Sequence, residues 1–511
     1  MADLPKKLLR QLRKEGSRRP GDPTQAYGAI LDAETKRDLD SSVIGVFIGI
    51  LFTVITGFPS ASPLLTAFLR DELGISNSAY GLIMTLPYLT VLIQIPFSVY
   101  VGRHGRVKQA FILFAMLNKL SFVVPALMTL MATKPNPTVA ALLIGVVMLL
   151  SSTFNWIAES SLFTWFGAMI PVQIKGRYLS TRQMIYTAGA LGYSLALSVA
   201  LRFTDTFAYK YTLFFLLASF TGVLDILMYL RIRPPERSFY PFVPNPAAKG
   251  RLKLSEFAKP FRNPNYRAFL LFATGWSFAI GLTSPYFNVY LLRDLHVSLG
   301  IQMLLQQILP YVATILFMRR IGRLNDSFGY KPMLTLSCWI VAFMPLTWIL
   351  TTPDTYWYIG ITNFLSGIFN VAIDLAIMSL AIFLAPHEDR ATFLAGKSIS
   401  VSLLGIVPAI LIGGQLTDWL TPILAQANIS LFEGHTVSSF HVLLVISAII
   451  RLAVVVFFLR RLREENAPQI SITPREFSSM MRFSVARRLT MLRQIGRTIK
   501  RRYLVRRGSD E

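Results

Sequence analysis

The sequence predicts an all-α polytopic membrane protein, with about twelve transmembrane helices in two pseudo-symmetric six-helix halves. Three observations lead there. Apolar runs long enough to cross a bilayer, about 20 residues each, follow one another between residues 42 and 460. A stretch rich in Pro and charge, residues 232–266, divides them into two equal sets. One pattern then occurs on both sides of that divide. Phe154-Asn155, Glu159, Pro171, Lys175, Tyr178-Leu179 and Arg182 return as Phe369-Asn370, Asp374, Pro386, Arg390, Phe393-Leu394 and Lys397, every match separated by 215 positions. Eight matches without a gap point to an internal duplication.

Composition agrees. Of 511 residues, 53% are hydrophobic and only 15% charged, and the mean hydropathy is +0.50. A soluble protein of this size is less apolar. The net charge of +24 lies in loops and tails. The preference of Lys and Arg for cytoplasmic loops accounts for it better than nucleic-acid binding does, so no nucleic-acid partner is expected. The single cysteine, Cys338, permits no intrachain disulfide. The first apolar run begins near Ser42, too late for a cleaved signal peptide.

In chain order, residues 1–41 form a basic tail, in which Pro5 to Lys14 has the pattern of a short amphipathic surface helix. The first half, 42–231, holds spans near 42–68, 78–101, 108–131, 138–168, 183–203 and 210–231. The linker 232–266 carries Pro234, Pro235, Pro241, Pro244, Pro246, Pro260 and Pro264 among basic residues, which excludes a spanning helix. The second half, 267–461, holds spans near 267–292, 298–320, 330–351, 355–384, 394–417 and 438–460. In the final segment, 462–511, apolar Val485, Leu489, Leu492, Ile495, Ile499 and Tyr503 alternate with arginines at helical spacing. That pattern suits a helix lying on an anionic inner leaflet.

Loop charge orients the chain. Even-numbered spans are followed by basic loops, as at Arg103-Arg106-Lys108 and Arg319-Arg320-Arg323. Odd-numbered spans are followed by mixed or acidic loops, as at Arg70-Asp71-Glu72 and Arg293-Asp294. Both termini are therefore expected in the cytoplasm, in a cell inner or plasma membrane.

One further motif sits between the second and third spans, and again between the eighth and ninth. The second copy reads Gly322-x3-Asp326-Ser327-x-Gly329-Tyr330-Lys331, and the first Ser98-x3-Gly102-Arg103-x-Gly105-Arg106-Val107-Lys108. With the spans and the half repeat, it resembles the loop signature G-x-x-x-D-R-x-G-R-[R/K] of the major facilitator superfamily. The first copy departs from it: Gly102 stands where the pattern has Asp. The resemblance covers residues 42–460 and implies a secondary active transporter of a small organic solute, with six-plus-six topology. It further implies a central cavity lined by helices one, four, seven and ten, opened to each side in turn as the halves rock. It assigns Arg103, Gly105, Arg106, Gly322, Asp326, Gly329 and Lys331 to the conformational-switch loops.

The repeated acids fall on the fourth and tenth spans. Glu159 and Asp374 each lie twelve residues before the loop proline, about 18 Å along a helix and thus near mid-membrane. A charge there costs about 2.5–3.5 kcal/mol unless hydrated, paired or protonated. A carboxyl that gains and loses a proton as its cavity opens suits proton coupling, and it equally suits a cationic substrate or a helix–helix pair. Asn155 and Asn370 lie one turn earlier on the same faces and suit polar recognition. Trp156, Trp276, Tyr286, Asn288, Gln302 and Gln306 are candidates for the cavity lining, the two glutamines because positions i and i+4 share a face. Gly57-Phe58-Pro59-Ser60 and Thr283-Ser284-Pro285-Tyr286 break the first and seventh spans. Lys119 and Arg451 fall on helices that are peripheral in the family, and are expected to pair with an acid or to snorkel, with direct contact to the substrate as the alternative. Asp225 is expected at the interface.

The sequence contains no Walker A loop, HExxH or paired CxxC. Neither an ATP-driven pump nor a metal enzyme is expected, nor any cofactor. A membrane scaffold or sensor using the same fold, and a lipid translocator, remain open as alternatives.

Overall fold

The computed structural model describes residues 33–58, 62–94, 96, 97, 100, 105–131, 136–171, 174–204, 207, 209–240, 259–386, 390–427, 430–432 and 435–462. The amphipathic patterns expected at 5–14 and 485–503 lie outside these residues.

Among the described residues, eleven helices are long and apolar enough to cross a membrane, and a shorter apolar one joins them. In chain order they are α1 (Ala33–Thr56), α2 (Asn77–Ile93), α3 (Val107–Met128), α4 (Pro137–Met169), α5 (Lys175–Thr204), α6 (Lys210–Leu230), α7 (Pro264–Arg293), α8 (Leu299–Phe328), α9 (Tyr330–Leu350), α10 (Tyr356–Phe383), α11 (Arg390–Ala427) and α12 (Ser439–Arg461). A small antiparallel hairpin, Ser430–Phe432 with His435–Thr436, connects α11 to α12.

Local chemistry sets several starts. α4 and α7 both open on Asn-Pro: Asn136 accepts from the Thr138 N–H at 3.0 Å and Asn263 from the Tyr266 N–H at 3.0 Å. Each proline takes the first helical position, where its missing N–H costs nothing. The polar stretches break their helices as expected. α1 ends before Gly57, which holds φ 71°, and a short helix, Pro63–Ala67, follows under a Ser62 cap. α7 is interrupted between Gly281 and Tyr286.

Two starts differ from expectation. α1 begins at Ala33 rather than near 42, because its charged first turns are paired. Asp38 is buried and accepts from Arg233 Nε at 2.6 Å, while Glu34 accepts from Arg233 Nη1 at 2.8 Å. α5 begins at Lys175 rather than 183, which places Arg182 inside a helix instead of in a loop.

Apolar side chains form one core within each half and a third that joins the halves. Across the halves, α2 packs on α11 and α5 on α8. Among the described residues, many of the bonds between halves lie on the face that carries the α1–α2 and α7–α8 connections, the distal face. Ser78 and Asn77 of α2 donate to Asp418 of α11, Tyr80 Oη donates to the Pro285 carbonyl at 3.1 Å, and Arg293 pairs with Asp71 at 3.3 Å and with the Arg70 carbonyl. Deeper, Ser194 donates to Gln307 Oε1 at 3.1 Å, and nearer the distal face Ser198 donates to the Gly300 carbonyl at 2.7 Å. Toward the proximal face, where Ala33 and Leu462 lie, Arg319 Nη2 approaches Met184 Sδ at 3.3 Å.

Candidate functional site

Each half encloses a cavity beside its repeated carboxylate. The cavity of the first half, about 450 Å³, lies between α1, α3, α4, α5 and α6. Asn155, Trp156 and Glu159 line it together, on one face of α4. Trp156 is held by a hydrogen bond from its indole N–H to the Pro87 carbonyl of α2, 2.8 Å. Four charges surround this space: Lys119 on α3, Glu159 on α4, Arg182 on α5 and Asp225 on α6. Arg182 acts electrostatically on both Glu159 and Asp225, and Lys119 acts on Asp225. The signs therefore alternate around the wall.

Asp225 is not interfacial. Its carboxylate is seated against Gly45 and Gly49 of α1, where a Cβ at Gly45 would approach Oδ1 to 2.8 Å. Its Oδ1 is buried without a hydrogen-bond partner. The aliphatic stem of Lys119 lies along Gly222, and its ammonium sits 3.7 Å over the Phe52 ring. Small residues on α1 and α6 thus make room for this pair, and the cation gains an aromatic face.

The cavity of the second half, about 550 Å³, lies between α7, α8, α9, α10 and α12. Gln306, Asn370 and Asp374 line it, with Asn363 and Ser366 on the same helix as the acid. Asn370 Nδ2 donates to Ser366 Oγ at 2.6 Å, and Asn363 Nδ2 to the Leu305 carbonyl at 2.9 Å. Lys397 acts on Asp374 as Arg182 acts on Glu159. Both acids and both bases are members of the 215-residue repeat, so duplication has kept an acid–base couple at each cavity. Arg451 of α12 lines this second cavity too.

The other candidate lining residues lie elsewhere. Trp276 is buried against Phe272 in the core of the second half. Tyr286 belongs to the distal seal, donating to the Ile410 carbonyl at 2.7 Å. Asn288 is buried in the outer segment of α7 and lines neither cavity. Gln302 is fully buried, its amide donating to the Val297 carbonyl at 2.8 Å. Gln306 lines the second-half cavity and Gln302 does not; a π-helical turn, Leu304–Ile308, begins between them.

In the switch loops, Gly105 and Gly329 both hold positive φ, 69° and 91°, at the entrances to α3 and α9. Only glycine adopts this region freely, which accounts for the shared glycine of the two motif copies. Arg106 is exposed just before α3, and Gly322 lies within α8. Lys331 donates to the Leu462 carbonyl, 2.5 Å, at the end of α12, and Lys108 does the same at the end of α6, reaching the carbonyls of Leu230 at 2.9 Å and Ile232 at 2.6 Å. Each lysine thus places its cation on an exposed helix C-terminus. Arg103 and the side chain of Asp326 lie outside the described residues.

A sequence model described as Major Facilitator Superfamily matches residues 46–359 and 277–495. The chain belongs to the Major Facilitator Superfamily. No curated protein matches it in sequence. Among solved structures it is similar to the nucleoside transporter NupG, at 13% identity and a TM-score of 0.60, over 84% of this chain and 99% of that one. A bacterial homologue of the human lysosomal transporter Spinster, inward-facing and unoccupied, matches at 15% identity and a TM-score of 0.57, over 86% of this chain and 100% of that one. A D-xylose–proton symporter matches at 16% identity and a TM-score of 0.56, over 85% and 99%. At such identities the likeness carries the fold alone. Membership of the superfamily makes the protein a multi-pass membrane protein and a secondary transporter of small solutes.

Within the superfamily frame, sequence reasoning overlooked Arg182 and Lys397 as partners of the acids. The signal was present, since both bases keep the same 215-residue offset as the acids. The cavity positions of Lys119 and Arg451 differ from the expectation drawn from their peripheral helices, and that of Asp225 differs from the interfacial place expected from its closeness to Arg231.

Proposed function

We propose that the protein moves a small organic solute by alternating access and couples that movement to protons through Glu159 and Asp374. One observation carries this reading: each acid lines a cavity of its own half, with the repeat's base acting on it. A carboxylate so placed has two ways to be stabilised, a proton or the neighbouring cation. Exchange between them as the cavity changes its access is what coupling requires.

The excess of Lys and Arg on the proximal face supports reading that face as the cytoplasmic one, in a cell inner or plasma membrane. The bonds from Asp418, Arg293 and Tyr80 then close the outer side. On this assignment the molecule is a state closed to the outside, and Asn155 and Asn370 stand beside the acids as polar contacts for the solute.

Proton flux in proteoliposomes, measured across a library of small solutes, tests the reading. Wild type should show solute-dependent proton movement, and Glu159→Gln/Asp374→Asn should lose it. Solute accumulation that responds to the pH gradient unchanged in the double variant refutes coupling through these acids. Removing residues 463–511 should leave flux intact; a protein serving as a scaffold through its tail would instead show no flux in either form.

A further inference from the structure

Arg451 is a buried cation without a counter-ion. It is 5% exposed and lines the cavity of the second half. Among the described residues, the ion pairs join Arg233 to Glu34 and Asp38 and join Arg293 to Asp71; none includes Arg451. The acid of the same cavity, Asp374, is acted on by Lys397 instead. In the first half, by contrast, each cation has an acid facing it: Lys119 has Asp225 and Arg182 has Glu159. A buried charge left unpaired is strongly unfavourable, so the second cavity has one positive charge to satisfy.

Part of the side chain has a structural task. Pro345 lies inside α9 and has no N–H to give. The carbonyl four residues earlier, Val341, therefore lacks its helical donor, and Arg451 Nη1 supplies one at 3.1 Å. That accounts for one N–H. It leaves the charge unmatched, and Nε is buried with no partner. On the α8 wall of the same cavity, Gln306 Nε2 is also buried without a partner. Both vacant groups are donors. What complements two donors and a positive charge is an acceptor that carries a negative one.

We propose that the second-half cavity is an anion subsite, in which a carboxylate or phosphate group of the transported solute is held by Arg451 and Gln306. Asn363 and Asn370 line the rest of the space and suit the polar remainder of the molecule. This names the class of solute, an organic anion, and rests on the transport reading only for the statement that the occupant is carried. Guanidinium suits either group because its planar N–H array meets two oxygens at once.

The test is thermal unfolding of the purified full-length protein with sodium acetate, sodium benzoate and inorganic phosphate as probes. Acetamide and benzamide serve as uncharged counterparts, and sodium chloride holds ionic strength constant. At least one of the three anions should raise the melting temperature saturably while the amides do not. A shift with phosphate alone, or with the carboxylates alone, tells which group the subsite takes. Arg451→Gln keeps a donor for Val341 and loses the charge, so the apparent affinity should fall roughly a hundredfold. Arg451→Lys keeps both and should retain part of it. Gln306→Leu, which disturbs no buried charge, should weaken binding about tenfold.

No saturable shift with any of the three anions overturns the proposal. So does an equal shift in wild type and Arg451→Gln, which would leave only the role of capping Val341. Saturable anion binding without solute-driven proton flux would refute the coupling reading and leave the subsite standing. Proton-coupled flux confined to neutral or cationic solutes would refute the subsite and leave the coupling.

Discussion

Asp418 of α11 accepts two hydrogen bonds from Ser78 of α2, 2.7 Å from the backbone N–H and 2.6 Å from the hydroxyl. The Asn77 N–H adds a third at 3.2 Å. A carboxylate of one half thus caps a helix start of the other, where the helix dipole favours negative charge. Gly414, one turn earlier on α11, permits the approach, since a Cβ there would lie 2.8 Å from the Asn77 carbonyl oxygen. The seal joins elements that must part when the distal face opens.

Asp418→Asn should therefore loosen the distal face without unfolding either half. Hydrogen bonds to a charged group contribute about 1.5–3 kcal/mol, so the closed population should fall roughly ten- to a hundredfold relative to the open one. Pulsed-EPR distances between labels at Thr138 and Ala425, exposed positions of opposite halves on that face, report it. A second, longer distance should appear in the variant. An unchanged distribution would show that the seal is held elsewhere.

Arg233 carries the join between α1 and the segment after α6. It holds Asp38 through Nε at 2.6 Å and its backbone N–H at 3.3 Å, Glu34 at 2.8 Å and Thr35 at 2.8 Å. Its own carbonyl accepts from the Trp165 indole at 3.0 Å. Removing one partner of a buried pair costs about 3–5 kcal/mol. Asp38 is 4% exposed but Arg233 26%, so Asp38→Asn should fall at or below the lower end of that range. A melting temperature several degrees lower is expected, whereas Glu34→Gln, whose side chain is 74% exposed, should change it little.

What was legible followed from regularities along the chain. The twelve apolar helices, their division into halves and the Asn155/Asn370 and Glu159/Asp374 pairs were readable because length, hydropathy and a constant offset are properties of the sequence itself. The break in α7 was readable because Pro285 and its neighbours disfavour a continuous helix locally. What was not legible depends on distance in space. Asp38 reads as a charge in a tail until Arg233, nearly two hundred residues on, arrives beside it. Gln302 and Gln306 read as equal candidates for the lining until the Val297 carbonyl engages Gln302 and only Gln306 lines the cavity. Arg451 reads as peripheral because its helix is, yet a long side chain reaches the cavity and the carbonyl that Pro345 leaves vacant. Asp225 reads as interfacial until Gly45 and Gly49 make a seat for it.

That seat gives a third prediction. A Cβ at Gly49 would lie 2.3 Å from Asp225 Oδ2 and 2.7 Å from its Cγ, so the carboxylate would have to shift. Overpacking of this kind costs about 1–3 kcal/mol. Gly49→Ala should lower the melting temperature in a wild-type background and cost much less when combined with Asp225→Ala, which removes the colliding group. Equal losses in both backgrounds would mean that Gly49 answers to the packing of α1 on α6 as a whole, not to Asp225.

The acid–base couples of the two halves give the last. Arg182 acts on Glu159, and Lys397 on Asp374, without forming an ion pair within 4.0 Å in the described residues. Across such a gap the interaction is electrostatic rather than a fixed contact, and it weakens wherever the cavity admits water. Glu159→Gln leaves Arg182 facing Asp225 alone, and Arg182→Gln leaves two acids without their shared cation. Each single variant should lose stability, and Glu159→Gln/Arg182→Gln should lose less than the sum. The coupling expected for neighbouring groups is about 0.5–3 kcal/mol, and the wide spacing places it toward the lower figure. In the second half Asp374→Asn/Lys397→Gln should couple with the same sign, since both couples descend from one duplicated pair. Additive losses in both cycles would mean that the acids and bases share the repeat without sensing one another, and the exchange of partner that proton coupling requires would then have no basis.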